Sequence, residues 1–224
     1  HEEEVDMITR RSLVWVVLTV LLASGAIMGA VYAKSPSWGD WPYTVEQRPN
    51  GQLRVRVDVD LASRTVRDAY AKQQRSAALA LASSHAGAVP VQVTFARPLS
   101  VEEAQDLAQS TGLTVDMVIF EARDATEGLH TVGTRGTEPG LVDTDSLKPD
   151  LEQRGLRLIG ITMVQGTVLA SPEGLGRLAS DERVYLPDVM AHLLAGKVAA
   201  HRGVDVRTVQ VSVPSPHWHL SAER

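Results

Sequence analysis

The 224-residue chain contains no cysteine. Disulfides, thiolate metal sites and cysteine nucleophiles are excluded, and any part folded outside the cytoplasm must rest on its core alone. Aromatic residues are few, at 4% with two phenylalanines, and positive charge is not in excess, since the net charge is −5. That balance gives no electrostatic support to a nucleic-acid role. No serine stands in a Gly-x-Ser-x-Gly elbow, and no Gly-Lys-Ser/Thr phosphate loop occurs; the glycines of Thr131 to Gly140 neither match its spacing nor open a helix. The last absence is the most informative. From Ser12 to Ala33, SLVWVVLTVLLASGAIMGAVYA, there is no charged residue.

A helix rises about 1.5 Å per residue, so about 20 apolar residues cross the hydrocarbon core. Residues 12–33 are therefore expected to form a single transmembrane helix. Arg10 and Arg11 precede the run and only Lys34 follows it. The positive-inside rule then puts residues 1–11 in the cytoplasm and the carboxyl domain outside it. Val31-Tyr32-Ala33 also fits a signal-peptidase site, but the apolar run exceeds the usual signal core of about 7–15 residues, which favours a retained anchor. Gly25, Gly29 and Ala33 recur every fourth residue and form a strip of small side chains, suited to close packing against another copy or a partner membrane protein. No ionisable side chain lies within the run, so it offers no haem ligand, proton relay or ion path. Lys34 to Pro42 reads as a juxtamembrane linker (residues 34–42), in which Trp38 and Trp41 can rest in the headgroup layer or dock a neighbouring subunit.

The whole sequence is 44% hydrophobic and 22% charged, the profile of a globular domain. In residues 43–88, Asn50-Gly51 joins two strand-like runs as a hairpin, and Leu53 to Leu61 alternates apolar with charged residues. A helix is expected over Arg64 to Ser84, with Val66, Tyr70, Ala77 and Leu81 on one face, interrupted by Gln73 and Gln74. Residues 89–189 read as strand (Val89 to Phe95), helix (from Ser100, with Glu103 completing a capping box and Gly112 as the stop), strand (Leu113 to Glu121), strand (Leu156 to Ala170), helix (Ser171-Pro172-Glu173 at its start) and strand (Val184 to Leu186). Arg123 to Asp145 reads as a long loop, followed by a short helix over Pro149 to Arg154. In residues 190–224, Asp188 caps a helix through His201, Val204 to Val213 alternates as a strand, and His217 to Arg224 is a tail. The fold class is α+β: a single N-terminal transmembrane helix, then a ferredoxin-like sandwich with an extra β-hairpin and a C-terminal helix–strand extension.

The segment ASPEGLGRLASDERVYLPDV, with Ala170, Ser171, Leu178, Asp181, Val184 and Asp188 in place, resembles the propeptide and inhibitor family of subtilisin-like proteases, as do the strand Val91 to Phe95, its helix and Gly112. The resemblance covers about residues 89–189. It implies a ferredoxin-like domain that chaperones or inhibits a protease through its carboxyl tail. The chain departs from that pattern, because no protease domain follows Asp188, and the extension Met190 to Arg224 stands in its place.

One local constellation remains. If extended, His217 and His219 of His217-Trp218-His219 would point to one side and could hold Zn²⁺ or Cu²⁺, although two ligands do not complete a site. A tail that docks Trp218 onto a partner or onto the domain itself is the other reading. His192 and His201 fall on opposite faces of their helix. No catalytic residue and no cofactor are expected. The functional expectation is a non-catalytic, membrane-anchored extracytoplasmic binding or scaffold protein, an accessory subunit of a membrane or cell-envelope assembly. The alternative is a tethered propeptide-like inhibitor or folding chaperone of a subtilisin-like protease.

Overall fold

The structure, a computed structural model, describes residues 37–38, 41–84, 87–136, 141 and 144–223. The apolar run Ser12–Ala33 lies outside them, and no helix among the described residues is long and apolar enough to cross a membrane. The strands are β1 (Ser37–Trp38), β2 (Trp41–Gln47), β3 (Leu53–Val57), β4 (Ala88–Leu99), β5 (Thr114–Arg123), β6 (Leu129–Arg135), β7 (Arg157–Leu169), β8 (Val184–Asp188) and β9 (Val209–Ser212). The helices are α1 (Arg64–Ser84), α2 (Val101–Thr111), α3 (Lys148–Gln153), α4 (Arg177–Ser180, entered through a wide π-type turn at Pro172–Gly176), α5 (Met190–Arg202) and α6 (His217–Ala222). The chain is thus a mixed α+β protein.

Five strands form the larger sheet in the order β6-β5-β7-β4-β8, with every pair antiparallel. Side chains alternate across a strand. Val89, Val91, Val93 and Phe95 of β4, with Val118, Phe120 and Ala122 of β5, enter one core beneath α2 and α4. Helix α2 begins at a capping box: the Ser100 hydroxyl accepts from Glu103 N–H at 3.2 Å, and the Glu103 carboxylate accepts from Ser100 N–H at 2.9 Å. It ends at Gly112, whose φ of 65° is the left-handed conformation that glycine adopts freely. Ser171 caps the second helical segment by accepting from Gly174 N–H. An ion pair fixes that segment to α2, since Arg183 binds Asp181 at 2.8 Å and Asp106 at 3.1 Å.

The smaller sheet runs β1-β2-β3-β9. Asn50-Gly51 turns the β2–β3 hairpin, with Gly51 at φ 82°. Strand β9 then adds parallel to β3, Leu53 opposite Val209. The sheet packs with α5 around a second core of Tyr43, Val55, Tyr70, Leu186, Met190 and Leu194. Helix α1 serves both cores. Tyr70 and Ala71 sit in the second, and Ala78 and Ala82 in the first. Between them Arg75 donates to the carbonyls of Ala179, Val184 (2.6 Å) and Tyr185 (3.2 Å), supplying donors along the outer edge of β8.

Several segments depart from the sequence-based expectation. The loop Arg123 to Asp145 contains strand β6, which pairs with β5 along its whole length. The strand expected over Val204 to Val213 is confined to β9, because the Asp205 carboxylate accepts from Arg207 N–H at 2.9 Å and turns the chain into a 3-10 segment, Val206–Thr208. The tail forms helix α6. The buried face of α1 carries Arg67, Tyr70, Ala71, Gln74, Ala78 and Ala82, so Gln74 lies inside rather than interrupting an apolar face.

Arg75 replaces strand pairing at an edge that no strand covers. Hydrogen bonds from a charged donor contribute about 1.5–3 kcal/mol. Arg75→Ala is expected to lower unfolding stability by about 2 kcal/mol in urea titrations, with Arg75→Lys recovering part of the loss; a midpoint shift of Arg75→Ala too small to measure would show that the edge is satisfied without it.

Candidate functional site

The face of the larger sheet opposite α2 is polar. Pro90, Gln92 and Thr94 alternate with the core valines of β4 and therefore point there. Strand register extends the row: Gln92 pairs with Gln165 of β7 on one side and with Asp188 of β8 on the other. Asp116 continues it on β5 as the extra residue of a bulge, between the pairs Val115–Gly166 and Met117–Gln165. Glycine is required at 166 because a Cβ there would lie 2.1 Å from the Thr114 carbonyl oxygen. Asp116, Gln165, Gln92 and Asp188 thus lie in one row across four neighbouring strands.

This row floors a cavity of about 320 Å³, walled by Pro90, Ala191, Val211 and Ser212 of β9, and Val213 just beyond it. The Gln165 amide donates to Gln92 Oε1 at 2.9 Å, which leaves Gln92 Nε2 buried without a partner. Gln92 is 9% exposed. The Thr94 hydroxyl, further along the same face, is also unpartnered and fully buried. An unmet buried donor or acceptor costs about 1–3 kcal/mol.

Asp188 is the second unusual group, at 1% exposure. Its Oδ2 accepts from the Tyr70 hydroxyl at 2.7 Å and its Oδ1 from Met190 N–H at 2.8 Å, so it closes the entry to α5. Burial pushes its carboxyl up to about 6, outweighing the two hydrogen bonds, which favour the ionised form. Burial and the adjacent Asp188 hold the Tyr70 hydroxyl far above the ordinary phenol range.

The remainder of the polar face is covered by the carboxyl-terminal segment. Ser221 of α6 donates to the buried Glu121 at 2.6 Å. Glu223 pairs with Arg67, whose guanidinium also donates to the Leu61 carbonyl at 2.8 Å. His217 is buried, with Nδ1 at 2.8 Å from the Ser215 hydroxyl, and burial lowers its pKa. Because residues 217–222 are helical, His217 and His219 project about 200° apart rather than to one side, which removes the extended geometry a shared ion would need. Among the described residues no group of three or more His, Asp or Glu side chains converges as a metal site.

Trp218 is 44% exposed on α6, with its ring 5.5 Å from that of His217. Trp41 is half-buried: its indole donates to Gln73 and its ring meets Tyr70 edge-on at 5.4 Å. It packs within the domain. Gly25, Gly29 and Ala33, with the side chain of Trp38, lie outside the described residues. Sequence reading missed Gln92, Gln165 and Asp116 as a group. The one local signal was Gln92 and Thr94 standing between the valines and phenylalanine of β4.

No family model matches this chain, and no curated protein or solved structure matches it either.

Asp188 gives the fold a pH dependence of defined sign. Its folded pKa lies above the unfolded value of about 3.9, so its favourable contribution is complete below pH 4 and is lost as pH rises through about 6. Asp188→Asn removes this term. Between about pH 4 and pH 7 the stability of the variant relative to wild type is expected to rise by about 2–3 kcal/mol in urea unfolding; parallel stability curves would show that Asp188 does not titrate in this range.

Proposed function

We propose that this protein is a non-catalytic, membrane-anchored extracytoplasmic binding protein, an accessory subunit of a membrane or cell-envelope assembly. The observation that carries the reading is the polar groove on the β4–β7 face. It presents amide and carboxyl groups to a cavity, one of them unpartnered, and no metal set converges among the described residues. Residues 12–33 supply the anchor, with Gly25, Gly29 and Ala33 as its packing strip against a partner helix or a second copy. The larger sheet and its helices are read as a ferredoxin-like sandwich. In support of this, β5-β7-β4-β8 are consecutive in the sheet, α2 joins β4 to β5, and α4 joins β7 to β8. The protease-inhibitor reading calls for an extended segment after Asp188; the chain there enters α5, so the binding reading is the one carried forward.

The absence of cysteine makes the topology directly testable. A single cysteine at the exposed Arg54 is expected to react in intact cells with a membrane-impermeant maleimide, and one at Glu3 only after permeabilisation. The full chain crosslinked in native membranes is expected to carry one stoichiometric partner, weakened by Gly29→Leu. Protection of the Arg54→Cys site in intact cells, or a clean monomer without crosslinked partner, would remove this function.

A further inference from the structure

The groove has a feature that indicates what fills it. Its wall includes Val211 and Ser212 of β9 and Val213 just beyond it. Successive side chains of a strand point to opposite faces, so two neighbouring strand residues line one cavity where it touches the strand's edge. Among the described residues, strand β9 is the terminal strand of its sheet, paired with β3 on one side alone. One row of its main-chain N–H and C=O groups therefore has no strand partner. A second cavity, of about 570 Å³, continues along the same strand and shares Pro90, Ala191 and Val211 with the first. Both volumes fall in the range of ligand clefts, about 300–1,000 Å³. Across the groove from β9, β4 is also free of β8 before Gln92, and Pro90 there has no N–H to offer.

We infer that the groove receives an extended peptide segment of a partner protein, which adds to the open edge of β9 as a further strand and gives one of its peptide groups to the Gln92–Gln165 amide pair. The unpartnered Gln92 Nε2 needs an acceptor. Turning both glutamine amides over would leave the Gln92 oxygen without a donor instead, so the complementary group carries donor and acceptor together, as a peptide amide does. Apolar walls at Pro90, Ala191 and Val211 suit small aliphatic side chains. Asp116 borders one end of the groove, so a segment with a basic residue toward it matches its charge. The inference rests on the binding function proposed above and names the class of partner for that site.

The test pans a phage library of random linear peptides against the full chain in lipid nanodiscs, then measures the recovered peptides by hydrogen exchange and titration. Selected peptides are expected to slow amide exchange across Val209–Val213 and to bind at least about tenfold more weakly to Gln92→Leu and to Ser212→Arg, and equally well to Arg54→Ala. Ser212 is exposed, so Ser212→Arg blocks the edge without touching the core, and an unfolding midpoint for Gln92→Leu no lower than wild type separates lost binding from lost fold. Failure to select any peptide, binding that neither variant changes, or protection elsewhere would overturn the inference. So would protection of Val209–Val213 that rises with protein concentration alone, which would assign the edge to a second copy. Peptide binding without any crosslinked membrane partner would remove the assembly reading and leave the groove assignment standing.

Discussion

Helix α1 lying along the outer edge of β8 is the constraint on which the two cores depend. A terminal strand leaves a row of main-chain groups without strand partners, and here Arg75 answers the β8 carbonyls of Val184 and Tyr185 from the side, and that of Ala179 in α4. The same helix sets Tyr70 against Asp188 at the end of β8. Its amino-terminal half packs under the small sheet and its carboxyl-terminal half under the large one. If α1 moved, β8 would lose its edge and Asp188 its partner, and the start of α5 would lose the carboxylate that accepts from Met190 N–H. Edge satisfaction, core packing and the geometry of the groove are therefore one problem with one solution.

Polar burial here is uneven in a consistent way. Asp188, Glu121 and Arg67 each have a hydrogen-bond partner from a distant part of the chain: Tyr70, Ser221 and Glu223. Gln92 Nε2 and the Thr94 hydroxyl do not, and both lie on the sheet face that bears the groove. Both polar atoms of the Gln74 side-chain amide, on the buried face of α1, are likewise unmatched. Leucine at these places would avoid the desolvation cost. On the groove face they fit the proposed binding function, while Gln74 and the likewise unmatched Arg67 Nε have no such account.

The features legible in the sequence were those formed by neighbours in the chain. Ser100 with Glu103, Gly112, Ser171 with Pro172, and Asn50-Gly51 are each complete within a few residues, and each stands where local chemistry put it. Strand β6 escaped because His130-Thr131-Val132-Gly133 alternates weakly, and its strand character comes from pairing with β5. Val204 and Val206 carried the alternation of a strand, but one carboxylate at Asp205 was enough to turn the backbone. The candidate site was not legible as a unit. Its residues come from four strands and meet only through register, and a bulge on β5 decides where Asp116 falls. Nothing in the local sequence encodes that coincidence.

The parallel pairing of Leu53 with Val209 has a consequence for the order in which the protein is made. The first hairpin can turn as soon as it emerges, yet its open edge and the apolar face of β3 find their partner only when β9 and α5 arrive near the other end of the chain. Closing so long a loop is slow, and exposed strand edges are prone to wrong pairing in the interval. A chain delivered amino-terminus first must therefore hold β2 and β3 unfinished while the whole larger sheet folds between them and their completion. The small sheet is completed only after the larger one, and the groove it walls exists only once β9 has emerged.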